Sequence, residues 1–186
     1  AQAVSSYLHD DRICYHKFSE NKGLGKALNE GLANAKAPLV AYLPSDDVYY
    51  RDHLHSLKTC LETATESVLA YAGVRHHYNR HAVGRIPGFP LQLVQCLHRK
   101  TAVRWTEREE LESDDLEQLY WARLRHFGSF TGHNRITCEW VDHPTQRHKL
   151  MQEPVGGINP FRCYYRVKEP LRFHTSVGND IDEVTQ

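Results

Sequence analysis

With 186 residues the chain has the length of one domain and enough material to bury a real core. Its 40% hydrophobic and 25% charged residues are ordinary for a globular protein. Lys+Arg 23 balances Asp+Glu 23, which excludes a global field drawing the chain to nucleic acid or an anionic membrane and makes any phosphate-binding surface a local one.

In chain order, Ala1 to His9 reads as helix, with Ala3, Val4, Tyr7 and Leu8 on one face and Asp10-Asp11 stopping it. Arg12 to Phe18 reads as a short strand, and polar Ser19 to Gly23 as a loop. From Leu24 the apolar positions Leu24, Ala27, Leu28, Gly31, Leu32 and Ala35 follow helical spacing, and Pro38 ends the run. Leu39 to Leu43 is continuously apolar, the pattern of a strand buried on both faces. After the acidic turn, Leu54, Leu57, Leu61 and Ala64 mark a second helix, and Ser67 to Val74 a strand. Asn79 to Pro90, with Gly84, Pro87, Gly88 and Pro90, reads as a long loop, a kind of segment that tends to be functional or mobile. Leu93 to Leu97 is a strand candidate; Leu116, Leu119, Tyr120, Leu124 and Phe127 mark a helix, Phe130 to Trp140 a strand and His143 to Met151 a short helix. This alternation predicts an α/β domain with a mostly parallel central sheet over residues 1–151, and 152–186 as a C-terminal extension or the start of a linker.

Five cysteines (Cys14, Cys60, Cys96, Cys138, Cys163), odd in number and never in a CxxC pair, argue against zinc or a disulfide framework and for a cytoplasmic setting. Apolar runs are strand-sized, so no segment reads as transmembrane or as a signal peptide. The 13 histidines are scattered, and the close pairs His76-His77 and His53-x-His55 lack partners at metal-site spacing.

The chemistry concentrates at Leu43-Pro44-Ser45-Asp46-Asp47. Adjacent carboxylates repel and need a partner, and Mg2+ or Mn2+ commonly binds through one or two carboxylates plus substrate phosphates. The competing reading is that Ser45, Asp46 or Asp47 caps the next helix. Around Asn21, Gly23 and Gly25 would let the backbone approach a ligand, and Lys22 and Lys26 would supply countercharge; as surface lysines at a helix start they need no function.

Asn21-Lys-Gly-Leu-Gly-Lys-Ala-Leu-Asn-Glu-Gly-Leu32, the apolar strand into Pro44-Ser45-Asp46-Asp47, and His53-Leu54 together resemble the family 2 glycosyltransferases of GT-A fold over Arg12 to Leu61. The resemblance implies a GT-A-like, Rossmann-related three-layer sandwich that transfers a sugar from a nucleotide-sugar donor to a saccharide, lipid-linked or other hydroxyl acceptor, inverting and dependent on Mn2+ or Mg2+. It implies metal binding by Asp46 and Asp47, with Pro44 standing where the family often has a further Asp, and a donor pocket lined by Asn21, Gly23, Lys26, Ser45 and Asp46. Glu112 to Leu124 resembles the family's later acidic pair and its following helix, which implies Asp115 as general base with Asp114 the alternative; capping is the competing reading, at Asp114 and Glu117. His143 falls where some members place a histidine that completes metal or diphosphate binding. Arg80, Arg85 and Arg99 are candidates for acceptor or phosphate contacts, and Trp105 for stacking on a sugar, each with a structural alternative.

The family's first nucleoside-binding strands have no match in Ala1–Gln186, so the expected domain is N-terminally incomplete, this segment alone is expected to bind donor weakly, and association with the rest of a longer protein or a second copy is expected. The inner face of a membrane is the alternative location. Two other functions stay open: an inactive module that binds saccharide or acts as a scaffold, and a metal-dependent nucleotidyltransferase.

Overall fold

A computed structural model of the chain describes residues 2–76, 91–110, 116–141, 172–174 and 180–182. The series from Leu24 forms helix α1, Gly23–Asn34, with Gly25 and Leu32 buried. Strand β1 is Leu39–Ala41, and β2, Val48–Tyr49, follows the acidic turn. Helix α2, His53–Thr63, buries His53, Leu57 and Leu61. Strands β3, Ser67–His76, and β4, Cys96–Arg99, precede helix α3, Leu116–Leu124, and strand β5, Ser129–Trp140. In the C-terminal tail, β6, Arg172–His174, and β7, Asp180–Asp182, pair as an antiparallel ribbon.

The five main strands form one sheet in the order β1-β4-β3-β5-β2. The α/β class holds, but the mostly parallel sheet does not: of the four neighbouring pairs only β3–β5 is parallel. β4 lies antiparallel between β1 and β3, and β2 returns along β5 straight from the acidic turn, so neither needs the helical crossover that parallel neighbours require. β1, β3 and β5 still point the same way, so their carboxyl ends share one edge.

Alternation along the strands sorts side chains into two main cores, with a third, smaller cluster of Val74, Val94 and Cys138 beside them. Val40, Tyr42, Leu69 and Cys96 pack with Leu32 of α1 and Tyr120, Trp121 and Leu124 of α3. Ala70, Ala72 and Leu97 face the other way, against Leu57 and Leu61 of α2. The arrangement is three layers: α1 and α3, the sheet, then α2. Central β3 is buried on both faces, whereas edge strand β1 only partly meets that expectation. Val40 and Tyr42 are buried, Leu39 and Ala41 half-buried, and Leu43 exposed.

Other local departures have simple causes. The first helix is a 3-10 segment, Gln2–Tyr7. Residues 13–18 form no strand, since no neighbouring strand pairs with them. Leu93–Gln95 is a 3-10 turn rather than strand, because the buried Gln95 amide donates to the Ala72 carbonyl (2.8 Å) and accepts from the Gln92 N–H (3.0 Å). Phe127 is exposed, since α3 ends at Leu124 and a 3-10 turn carries Phe127 off its apolar face. The stretches 79–90 and 143–151, expected as loop and helix, lie outside the described residues.

Candidate functional site

The acidic turn is built at the carboxyl end of β1. Its closure is the Asp47 N–H donating to the Pro44 carbonyl at 3.2 Å. The Asp47 carboxylate accepts the Val141 N–H at 3.1 Å, just past β5, and so extends the ladder begun by Val48↔Glu139 and Tyr49↔Cys138. From the other side the Tyr49 hydroxyl donates to the Tyr42 carbonyl. Ser45 and Asp46 are exposed at the tip. The capping alternative fails here, because α2 starts only at His53 and its N-cap position is Asp52. Asp47→Ala is expected to cost about 1 kcal/mol in urea unfolding, as a charge-assisted hydrogen bond at a half-buried site is lost, and Asp47→Asn to retain most of it.

α1 is linked to this end of the sheet through the Trp105–Glu107 segment, whose Trp105 ring also reaches Tyr42 just past β1. The Asn21 side chain accepts the Gly23 N–H at 2.9 Å, and Gly23 has φ 79, a conformation that favours glycine. Lys22 pairs with Glu20. Gly25 serves close packing rather than ligand approach: a Cβ there would stand 1.9 Å from the Thr106 carbonyl oxygen. Asn29, not singled out by the sequence, grips the segment after β4. Its amide donates to the Trp105 carbonyl (3.0 Å) and to Glu107 (2.8 Å), and its carbonyl accepts the Trp105 N–H (2.8 Å). Glu107 also receives Arg104 Nη2 at 2.6 Å and Lys26 Nζ at 3.3 Å. The Asn29 hydrogen bond foremost, then the Lys26 and Arg104 ones, hold the Glu107 carboxyl below its ordinary range.

Beneath this end lies a polar chain within the aromatic core. His98 Nδ1 is 2.7 Å from the Arg99 carbonyl, which can only accept, so Nδ1 carries the proton and Nε2 accepts from the Tyr42 hydroxyl at 2.8 Å. Trp105 Nε1 donates to that hydroxyl oxygen at 3.2 Å, and the Trp105 ring stacks on Tyr120 at 3.8 Å. The chain joins β1, β4 and the Trp105 segment.

The family described as Glycosyl transferase family 2 matches residues 1–107, more than half of the chain. The chain belongs to glycosyl transferase family 2. An uncharacterized glycosyltransferase of Rickettsia typhi is 35% identical over 66 residues, 35% of this chain and 20% of that protein. Another, of Rickettsia prowazekii, is 36% identical over 66 residues with the same coverage of 35% and 20%. The matched part thus spans about a fifth of these relatives.

In this family 2 chain, Asn21, Gly23 and Lys26 lie at the start of α1, and Ser45, Asp46 and Asp47 in the turn that follows β1. Two candidates do not serve there. Arg99 pairs with Leu39 at the opposite end of β1 and donates to the carbonyls of Ser67 (3.0 Å) and Leu61 (2.8 Å), tying strands to α2. Trp105 is 1% exposed, so its ring cannot stack on a sugar. Asp114, Asp115, His143, Arg80 and Arg85 lie outside the described residues. Among the described residues no group of three or more His, Cys, Asp or Glu could hold a metal unaided, and no helix is long and apolar enough to cross a membrane.

Nothing in the sequence marked Asn29, Glu107 or the Gly25 contact as a unit. The only available signal was the position of Asn29 in the Asn21-to-Leu32 pattern; its partners are 76 and 78 residues away.

Proposed function

We propose that this glycosyltransferase moves a sugar from a nucleotide-sugar donor to a hydroxyl of a saccharide or lipid-linked acceptor, with inversion and with a divalent cation at Asp46. The observation that carries the reading is the division of labour in the acidic turn. Asp47 accepts the Val141 N–H, while Asp46 is exposed at the tip of the turn that follows β1. An exposed carboxylate, with no group of three or more metal-binding side chains among the described residues, suits Mg2+ or Mn2+ shared with a donor diphosphate, since such ions bind through few protein ligands. When bound, the cation would offset charge on the departing nucleoside diphosphate.

Asp46 holds that position, and Lys26 and the N–H groups at the start of α1 add positive potential for the diphosphate. Asp115, or Asp114, takes the proton of the acceptor hydroxyl as its oxygen attacks the anomeric carbon and the sugar–phosphate C–O bond breaks. His143 is a further candidate for the cation or diphosphate.

Donor hydrolysis by the full-length protein, with UDP-, GDP- and dTDP-sugars and Mn2+, tests this. Asp46→Ala and Asp115→Ala are each expected to lower the rate at least about tenfold, a loss near 1.4 kcal/mol of transition-state stabilisation. Equal rates in all three proteins would reject the catalytic assignment and favour a binding module. Release of nucleoside monophosphate and sugar 1-phosphate, in place of nucleoside diphosphate and free sugar, would point to attack at the nucleotidyl phosphorus and so to nucleotidyl transfer.

A further inference from the structure

The Lys26–Glu107 contact is the loose arm of an otherwise tight cluster. Glu107 Oε1 lies 2.6 Å from Arg104 Nη2 and 2.8 Å from Asn29 Nδ2, whereas Lys26 Nζ stands off at 3.3 Å from Oε2 and 3.5 Å from Oε1. Burial follows the same order of commitment: the Glu107 side chain is only 15% exposed, while that of Lys26 is 41% exposed on the first turns of α1. A second carboxylate, Glu110, is engaged with the Glu107 backbone N–H at 3.2 Å. The Glu107 carboxylate would therefore keep two close hydrogen bonds if Lys26 left. An ion pair this exposed contributes little, so parting it costs little. The Lys26 stem is flexible, and its ammonium is a point charge able to exchange one oxyanion for another.

We infer that Glu107 is an internal competitor for Lys26, occupying its ammonium until the diphosphate of a nucleotide-sugar donor displaces it, and that this exchange sets how tightly the site takes an anion. Glu107 acts through Lys26, which makes it an affinity-determining residue rather than a catalytic one. The inference rests on the proposed donor site at this end of the sheet. It explains why a lysine placed for a diphosphate has a carboxylate beside it: the pair keeps a half-exposed cation from attracting every passing anion, at the expense of donor affinity.

The test is calorimetric titration of magnesium pyrophosphate, a probe indifferent to the base, into the full-length protein and its Glu107→Gln, Lys26→Met, Asp46→Asn and Glu107→Gln/Lys26→Met variants. Glu107→Gln keeps an oxygen for Asn29 and is expected to tighten binding about three- to tenfold, because the competing charge is gone. Lys26→Met is expected to weaken it, and in that background Glu107→Gln is expected to change affinity less than twofold. An equal gain with and without Lys26 would overturn the exchange, since Glu107 would then act only as a general negative charge. So would unchanged or weaker binding in Glu107→Gln while Lys26→Met weakens it; the donor-site reading would survive that result. If Lys26→Met and Asp46→Asn both leave affinity unchanged, the donor site itself is misplaced and the inference falls with it. Should Glu107→Gln fail to fold, the Lys26 Cε resonance of the wild type decides. Movement on adding pyrophosphate supports exchange, and a signal that stays fixed while binding is seen calorimetrically overturns it.

Discussion

Gly25→Ala is expected to destabilise the protein by about 3 kcal/mol, while Gly31→Ala, six residues on in the same helix, is expected to stabilise it by about 0.5–1 kcal/mol. At Gly25 the added carbon would meet the Thr106 carbonyl oxygen at 1.9 Å and its carbonyl carbon at 3.0 Å. The obstacle is backbone, so no rotamer change relieves it, and α1 must move off the Trp105–Glu107 segment. That movement would stretch the three Asn29 hydrogen bonds as well. At Gly31 nothing lies within 4 Å, so alanine removes only the entropic cost of a helical glycine. Thermal unfolding should separate the two, with Gly25→Ala lowering Tm by roughly 6–12 °C for a chain of this size. A Gly25→Ala protein as stable as wild type would mean that α1 does not seat on Thr106.

The second large effect is acid destabilisation through buried histidines. His53 is fully buried between Tyr49, whose ring stacks on it at 4.2 Å, and Thr137, whose hydroxyl is 2.7 Å from Nδ1. Among the described residues its Nε2 has no hydrogen-bond partner, and neither has Nδ1 of nearby His133. Burial foremost, with His133 adding to it and Asp52 opposing, lowers the His53 pKa from 6.5 to about 4. The unfolded chain therefore binds a proton that the folded chain refuses across that window. Stability contributed by neutral His53 is complete above about pH 6.5, falls as pH drops, and is exhausted near pH 4, a total on the order of 3 kcal/mol. His98 is also lowered by burial and adds in the same direction. Urea unfolding at pH 7.5 and pH 5 should show the loss in wild type and a smaller one in His53→Phe, which keeps an aromatic ring against Tyr49. An equal pH dependence in the two proteins would remove His53 as its cause.

These two predictions differ in how far the sequence foreshadows them. The helical spacing from Leu24 and the apolar run from Leu39 were readable because periodicity and burial act over neighbouring residues. The same locality made Gly25 and Gly31 look alike, since both sit in one glycine-bearing helix pattern and only a distant carbonyl distinguishes them. Trp105 failed for a related reason: an isolated aromatic has no period, and its fate was set by Tyr120 and Tyr42. The acidic turn was legible as a place, through the pattern around it. The hydrogen bond that engages Asp47 was not, because its partner Val141 lies 94 residues downstream. Strand direction was misread where β4 intervenes, as alternation of elements does not report which strands become neighbours.

The placement of β4 also sets a timetable for the nascent chain. β1 has β4 as its only partner strand among the described residues, with Leu39 opposite Arg99. A ribosome that has released residues as far as β3 has therefore delivered α1, β1 and α2 before β4, the strand that β1 pairs with among the described residues. Closing that span is entropically costly before any ladder bond rewards it. Until Cys96–Arg99 emerges, β1, which leads into the acidic turn, has its ladder to β4 unmade and that edge exposed. Slow codons or a chaperone acting before that point would lengthen the exposure, whereas the same delay after β4 would leave an already paired β1.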